Sequence, residues 1–331
     1  MTRAVPRIAT MIGDPAGVGP EVTVKALATG EPQRVSQPVL IGDIIAIERA
    51  CTASGVALEF EVVSALEAAA FDGRVVVVDP GTVLPGSVPV GAPSPAGGHA
   101  VDTWMKLADQ LAADGQIDGW IMAPVDSTSL KLAKVCQDID DLQPAGTYMF
   151  RISGPLRIVP LSEHIPLSAV PDTLTPEKVR EVVELLGSTL RRWGVSSPRI
   201  GVAGLNPHAM GKEDRLVLAP TVKALAAEGW DCTGPVAPDS IFRQAIEGKY
   251  DAVVSMYHDQ GQIALKSAAF AGACTIYMGL PYIRLTIPHG TAMDIAGTGK
   301  AQHFSMLAAM NTAAALSAGN GFLDWRALQP R

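Results

Sequence analysis

Eight short runs rich in β-branched or apolar residues recur along the 331-residue chain, and this recurrence constrains the fold more than any other feature. They are Arg7–Ile12, Val39–Ile41, Arg74–Val78, Trp120–Met122, Leu156–Val159, Arg199–Val202, Ala252–Met256 and Cys274–Met278, each closed by Gly, Pro, Asp or His. Between them lie stretches with helical periodicity. Asp102–Ala113 and Pro176–Trp193 are the clearest, the second opened by a Thr175-Pro176-Glu177 start signal. Strands alternating with helices predict an α/β protein with a largely parallel sheet, because parallel neighbours need a crossover between them. In such folds polar chemistry collects where loops leave the carboxyl ends of the strands.

Composition narrows the class further. With 48% hydrophobic and 18% charged residues, the chain can bury a large core, which argues against disorder. A net charge of −7 argues against a nucleic-acid partner, since a phosphate backbone wants a basic face, yet leaves room for a small anionic substrate held by a few placed cations. Cys51, Cys136, Cys232 and Cys274 show no short paired spacing, so neither a disulfide framework nor a zinc knuckle is expected. The opening MTRAVPRIATMIGDPAG meets Gly and Pro before any long apolar run, and no stretch approaches a membrane span. A cytoplasmic protein is the expectation. Asp79–Gly98, rich in Pro and Gly, and Ser153–Thr173 read as connectors. Two α/β lobes are expected, one from residues 1–123 and 301–331, the other from 124–300.

Three of the six histidines directly follow apolar runs: His164 in RIVPLSEHIP, His208 in RIGVAGLNPH and His258 in DAVVSMYHDQG. Strand ends of one sheet converge, so these imidazoles can form a divalent metal site with open positions, or each can be a locally satisfied loop residue. Asp259 can orient His258 or cap the helix that follows. The segment HGTAMDIAGTGKA, His289 to Ala301, lets backbone approach a flat or charged ligand, although such loops are commonly plain turns. No G-x-G-x-x-G stands between a strand and a helix, so a standard Rossmann site is not expected. Gly13–Val22 (GDPAGVGPEV) is either an anion seat at a helix start or a tight strand-to-helix turn. Lys266 and Arg284 flank the Cys274–Met278 run and suit a carboxylate or phosphate, with surface exposure the default for both.

Read together and in order, GDPAGVGPE, GAPSPAGGHA, QIDGWIMAP, GLNPHA, MGKED, GPVAPDSIF, YDAVVSMYHDQG, MGLPYIR and HGTAMDIAGTGKA resemble the 4-hydroxythreonine-4-phosphate dehydrogenase (PdxA) family of vitamin B6 synthesis, nearly end to end. The resemblance implies an isocitrate/isopropylmalate dehydrogenase-like fold of two α/β lobes around a cleft, assembled as a homodimer. It implies that His164, His208 and His258 hold a divalent metal, zinc first with magnesium, manganese or cobalt as alternatives, and that the site is shared across the dimer, His258 coming from the neighbouring subunit. Lys266, Arg284, Thr147 and Thr275 fall on substrate-binding positions, and Asp239, Asp259 and Lys266 on catalytic ones. The loop with His289, Gly290, Thr291, Asp294 and Gly297 would take the adenosine side of NAD or NADP. The implied reaction oxidises a secondary alcohol at the metal, with hydride passing to the nicotinamide and carbon dioxide leaving if a carboxylate stands β to the new ketone.

The chain departs from the family on the substrate side. Ala145-Gly146-Thr147-Tyr148 stands where Gly-His-Thr-Glu is usual, Thr275 replaces an asparagine, and Ser127 a lysine. The glycine-rich insert after Asn-Pro-His-Ala is shortened, so Ala209 runs straight into Met210-Gly211. The phosphorylated hydroxy acid of the family name, or a 4-phosphothreonate, is therefore set only slightly ahead of a carboxylated aromatic cis-dihydrodiol (terephthalate-dihydrodiol type). Loss of polar groups and gain of Tyr148 favour the dihydrodiol, whereas retention of Lys266 and Arg284 favours the phosphate. A metallohydrolase or a non-catalytic metal-binding protein is the remote alternative.

Overall fold

The computed structural model describes residues 5–268, 273–324 and 326. These fall into two compact units, one within Met1–Ala145 and Leu280–Ala318, the other within Gly146–Gly279 and Gly319–Gln329. The expected lobe boundaries at 123/124 and 300/301 thus fall inside the first unit. Residues 280–300 stay with it because strand Ile283–Thr286 pairs in parallel with Gly119–Met122, and Val18 N donates to Thr291 O (2.9 Å).

The first unit carries β1 (Arg7–Met11), β2 (Gln37–Ile41), β3 (Phe60–Val63), β4 (Val75–Val78) and β5 (Gly119–Met122). The second carries β6 (Tyr148–Ser153), β7 (Leu156–Pro160), β8 (Ile200–Ala203), β9 (Cys232–Val236), β10 (Ala252–Ser255) and β11 (Cys274–Met278); β12 (Ile283–Thr286) returns to the first. In the first unit the order is β3-β4-β2-β1-β5-β12, every neighbouring pair parallel. The central strands are buried on both faces, so β4 reads as four consecutive valines and β5 as GWIM, without alternation.

The second unit has the order β11-β6-β7-β10-β8-β9. β7, β10, β8 and β9 run parallel, while β6 pairs antiparallel with both β7 and β11. Register puts Pro160 level with Ser255, and Ala203 level with Val236, so four chain segments leave the sheet along one edge. Helix Pro176–Arg192 covers the sheet with Val179, Val182, Val183, Leu186 and Leu190, capped at its start by Thr175 Oγ1 accepting from Lys178 N.

Two expected connectors are shorter than read. Asp79–Gly98 ends inside helix Pro95–Ala113, whose Ser94 side chain accepts from Gly97 N. The PAGGHA start hid this turn, because paired glycines read as loop. At Gly98 a Cβ would stand 2.1 Å from Ser129 O, so glycine there answers close helix packing. Ser153–Thr173 contains β7, and only the part after Pro160 is connector, with short helical turns at Leu167–Ala169 and Val170–Thr173.

Candidate active site

Three histidines leave the parallel edge of the second unit. His164 follows β7, His208 follows β8, and His258 opens the helix after β10. Pairing of β7 with β10 continues past the strands, with Leu161 N donating to Ser255 O (2.8 Å) and Ser162 Oγ to Met256 O (3.0 Å). This carries His164 against His258, their ring centroids 4.8 Å apart at 67°. Asp259 Oδ1 lies 2.7 Å from His258 Nδ1, and Gln262 Nε2 lies 3.4 Å from His258 Nε2. A carboxylate accepting from Nδ1–H leaves the lone pair on Nε2, the tautomer a metal ligand needs. Gln260 ties β10 to β8, its Oε1 accepting from Met256 N (2.7 Å) and its Nε2 donating to Gly204 O (2.9 Å).

His208 sits on a tight loop with φ 55° and ψ 16°, the left-handed region in which a non-glycine residue is strained. Asp214 enforces it. This fully buried carboxylate accepts from Leu205 N (2.7 Å), Asn206 N (3.2 Å), Asn206 Nδ2 (2.9 Å) and Gly211 N (2.9 Å). The shortened loop closes so tightly that a Cβ on Gly211 would stand 1.9 Å from Asn206 Nδ2. Among the described residues, the group whose ligand atoms all lie within 4.8 Å of one another is Glu163, His164 and His258; His208 does not join it. Glu163 and Asp214 were not singled out from sequence, although SEH sets an acid beside a candidate ligand and MGKED sets one at the loop's end.

The remaining second-unit candidates scatter around that edge. Asp239 is exposed on the turn after β9, and Lys266 is exposed near the end of helix His258–Ala268. Thr275 on β11 pairs across from Arg151 on β6, whose fork reaches Glu163. Thr147, at the start of the same strand, is buried. Tyr148 lies one position further and turns to the opposite face. Its hydroxyl donates to Glu181 Oε1 (2.7 Å) and accepts from Lys178, both on helix Pro176–Arg192. Burial, then the Glu181 carboxylate, push the Tyr148 phenol well above its usual range. Tyr148 is thus a packing residue, and gives no weight to the dihydrodiol reading.

In the first unit Arg284 is buried rather than exposed. Its Nη1 donates to Asp109 Oδ2 (3.1 Å) and its Nη2 to Leu142 O (2.9 Å), with the guanidinium 4.8 Å from the centre of the Trp120 ring. Asp109 Oδ1 also accepts from Trp120 Nε1 and Tyr282 OH, each at 3.0 Å. Asp109 is thus a hub that sequence reading missed.

The first unit also joins two motifs that are far apart in sequence. Helix Gly19–Ala28 begins at GDPAGVGPE, and its Glu21 and Lys25 clamp the glycine-rich loop. Ala301 N donates to Glu21 Oε1 (2.8 Å), and Lys25 Nζ donates to Ala301 O (2.8 Å) and pairs with Glu21 (2.9 Å). Between them opens a cavity of about 490 Å³, lined by Val18, Val22, His289, Gly290, Ala292 and Phe304 among others. Thr291 anchors the loop through its carbonyl to Val18, while Asp294 lies inside the single 3₁₀ turn Met293–Ile295 before Gly297.

Fold and site define a class: an α/β protein whose parallel strands deliver imidazoles and carboxylates at one edge of the second unit, with a ligand-sized cavity beneath a glycine-rich loop in the first. The family model for the pyridoxal phosphate biosynthetic protein PdxA matches residues 34–313. A Novosphingobium aromaticivorans protein provisionally named 4-hydroxythreonine-4-phosphate dehydrogenase is 45% identical over 321 residues, covering 97% of each chain. The crystal structure of 4-hydroxythreonine-4-phosphate dehydrogenase from Klebsiella pneumoniae is similar with TM-score 0.83 and 34% identity, over 96% of this chain and 99% of that one. A terephthalate 1,2-cis-dihydrodiol dehydrogenase from Burkholderia xenovorans LB400 is similar with TM-score 0.67 and 27% identity, over 94% and 98%. The chain belongs to the PdxA family. It is a dehydrogenase of that family with the isocitrate dehydrogenase-like α/β fold, as the resemblance of its motifs implied.

Proposed function

We propose that this chain is a nicotinamide- and divalent-metal-dependent dehydrogenase oxidising the secondary alcohol of a small phosphorylated hydroxy acid of the 4-hydroxythreonine 4-phosphate type. The observation that carries the reading is the His164–His258 pair, with ring centroids 4.8 Å apart and Asp259 on Nδ1 of His258. That donor set suits zinc first, with cobalt, manganese or magnesium as alternatives. When bound, the ion supplies a Lewis acid for the alcohol oxygen and the nicotinamide accepts the hydride. Asp259 holds the His258 tautomer, and Asp214 holds the loop that offers His208 as third imidazole. Asp239, Asp259 and Lys266 are the titratable groups available to take the hydroxyl proton and to return one to carbon after decarboxylation.

Thr147, Thr275, Lys266 and Arg284 are the proposed substrate contacts. Lys266 is exposed and suits a phosphate, Arg284 is buried and already paired with Asp109, and the engagement of Tyr148 by Glu181 removes the main argument for an aromatic substrate. The dihydrodiol reading keeps the support of the terephthalate-type structure at 27% identity. The cavity under His289 and Gly290 has room for the adenosine half of a dinucleotide, with Thr291, Asp294 and Gly297 shaping its loop. Among the described residues its lining contains no lysine or arginine, which favours NAD over NADP because a 2′-phosphate calls for a cation.

Four unpaired cysteines and the absence, among the described residues, of a helix able to cross a membrane support a cytoplasmic setting. A homodimer sharing the metal site completes the reading. His258 is the imidazole that the neighbouring subunit would bring to His164 and His208 of one chain, as the resemblance implies. Mixing inactive His208→Ala and His258→Ala variants then restores part of the activity through hybrid dimers, and no restoration removes the sharing.

The deciding experiment follows reduced-cofactor absorbance and carbon dioxide release from 4-hydroxythreonine 4-phosphate, 4-phosphothreonate and carboxylated cis-dihydrodiols. Turnover of a phosphorylated compound, lost in His258→Ala, is expected. Turnover of a dihydrodiol alone would replace the substrate assignment.

A further inference from the structure

Within the first unit, Arg284 on β12 meets a carboxylate that is held from three sides. Asp109 Oδ1 accepts from Trp120 Nε1 and Tyr282 OH, each at 3.0 Å, and Oδ2 accepts from Arg284 Nη1 at 3.1 Å. Burial, then the carboxylate beside it, raises the Tyr282 phenol to about 12, so it stays a donor at neutral pH. Two of the three donors are uncharged, and the place of Asp109 does not depend on Arg284 alone. Arg284 is fixed in turn, with Nη2 donating to Leu142 O at 2.9 Å and the guanidinium 4.8 Å from the centre of the Trp120 ring. The two halves of the pair differ in access. The Arg284 side chain is 4% exposed and that of Asp109 34%, so the face open to the surface is the acid. An anion approaching Arg284 from that face meets a negative charge first.

We propose that Asp109 masks Arg284 and is a specificity-determining residue of the proposed reaction, lowering the pull of this position on a phosphate dianion more than on a singly charged carboxylate. The proposal rests on the reading of Arg284 as a substrate contact and deepens it. The sequence places a cation there, and the fold gives that cation a counter-charge. A lone guanidinium attracts as a full positive charge, whereas Arg284 with Asp109 attracts as a dipole, whose field falls off faster with distance. Repulsion by the carboxylate scales with the charge of the incoming group, so it bears twice as hard on a dianion as on a monoanion. A fixed repulsive charge is one of the ways in which a site rejects the wrong ligand. Trp120 and Tyr282 supply the fixing, because each spends its polar hydrogen on Asp109.

The test follows thermal unfolding of the full chain against rising inorganic phosphate or acetate, at fixed ionic strength and at a mildly alkaline pH where phosphate is a dianion; protection by each anion gives its affinity. Asp109→Asn keeps the size of the side chain and one accepting oxygen but removes the charge. It is expected to melt lower than wild type without phosphate, yet to bind phosphate about 10-fold and acetate about 3-fold more tightly, in proportion to their charges. The double variant Asp109→Asn/Arg284→Gln is expected to lose that gain, which ties it to Arg284 rather than to another cation. If the asparagine variant does not fold, Asp109→Ser, which lets water reach the guanidinium, carries the same measurement. A purely structural Asp109 would lower the melting temperature and leave the response to phosphate at the wild-type level. That result, with phosphate weakened by Arg284→Gln alone, would overturn the mask and keep Arg284 as a substrate contact. A phosphate response indifferent to Arg284 in both backgrounds would overturn both.

Discussion

Asp214 touches neither proposed substrate nor cofactor, yet four N–H groups converge on it and His208 keeps a left-handed backbone because of it. Asparagine offers only one accepting oxygen, so Asp214→Asn leaves buried donors unmet at a cost of about 2–4 kcal/mol. At roughly 2–4 °C per kcal/mol for a chain segment of this size, the melting temperature is expected to fall by about 4–16 °C, read by circular dichroism. Metal affinity is expected to weaken with it as His208 leaves its strained conformation.

A second carboxylate sets a pH dependence. Asp43 is raised from 3.8 to about 6, first by burial and then by the neighbouring Asp79, although Thr82 N and Val83 N donate to it. The folded state therefore binds this proton more tightly than the unfolded one. Its contribution is complete below pH 3.8 and is lost as the pH rises through about 6. Asp79→Asn relieves the like-charge part. Urea denaturation across that window is expected to show wild type losing stability relative to the variant as pH rises; a constant difference would refute the coupling.

At the scale of elements, the parallel edge of β7, β10, β8 and β9 does the positioning, and close packing sets where helices begin. Gly98→Ala places a methyl group against Ser129 O, 2.1 Å from the ideal position, and is expected to cost about 1–3 kcal/mol despite alanine's better helix propensity. A stabilised variant would mean that helix Pro95–Ala113 can shift freely. Eight of the strands were legible from sequence because they are buried runs with clear stops. The four missed, β3, β6, β9 and β12, lack that signal. β9 is CTGPV, with Gly and Pro inside it, and an edge strand tolerates this because it pairs only with β8. β6 (YMFRIS) mixes Arg151 and Ser153 into an apolar strand, since one of its faces is polar toward Glu163.

At the scale of the whole molecule, the proposed metal ligands lie in one compact unit and the proposed nucleotide cavity in the other. Ligand binding protects the folded state by about 2.7 kcal/mol at a ligand concentration one hundred times Kd. Hydrogen exchange with and without chelator is therefore expected to change most at 161–164 and 256–262. Exchange with and without NAD is expected to change most at 289–305. Exchange that responds to neither ligand at those segments would reject the assignment of both sites.

Sequence by itself determined the α/β class, the family and the positions of His164, His208 and His258, because buried strands and the polar residues that end them are written as local pattern. Only the tertiary structure decided which groups meet. It set Glu163 beside His164 and His258, aimed Arg151 at Glu163, turned Tyr148 to the opposite face and buried Arg284 against Asp109. These outcomes depend on strand register and on which face of a strand each residue occupies. A shift of one position reverses every face, and nothing in local composition records the choice.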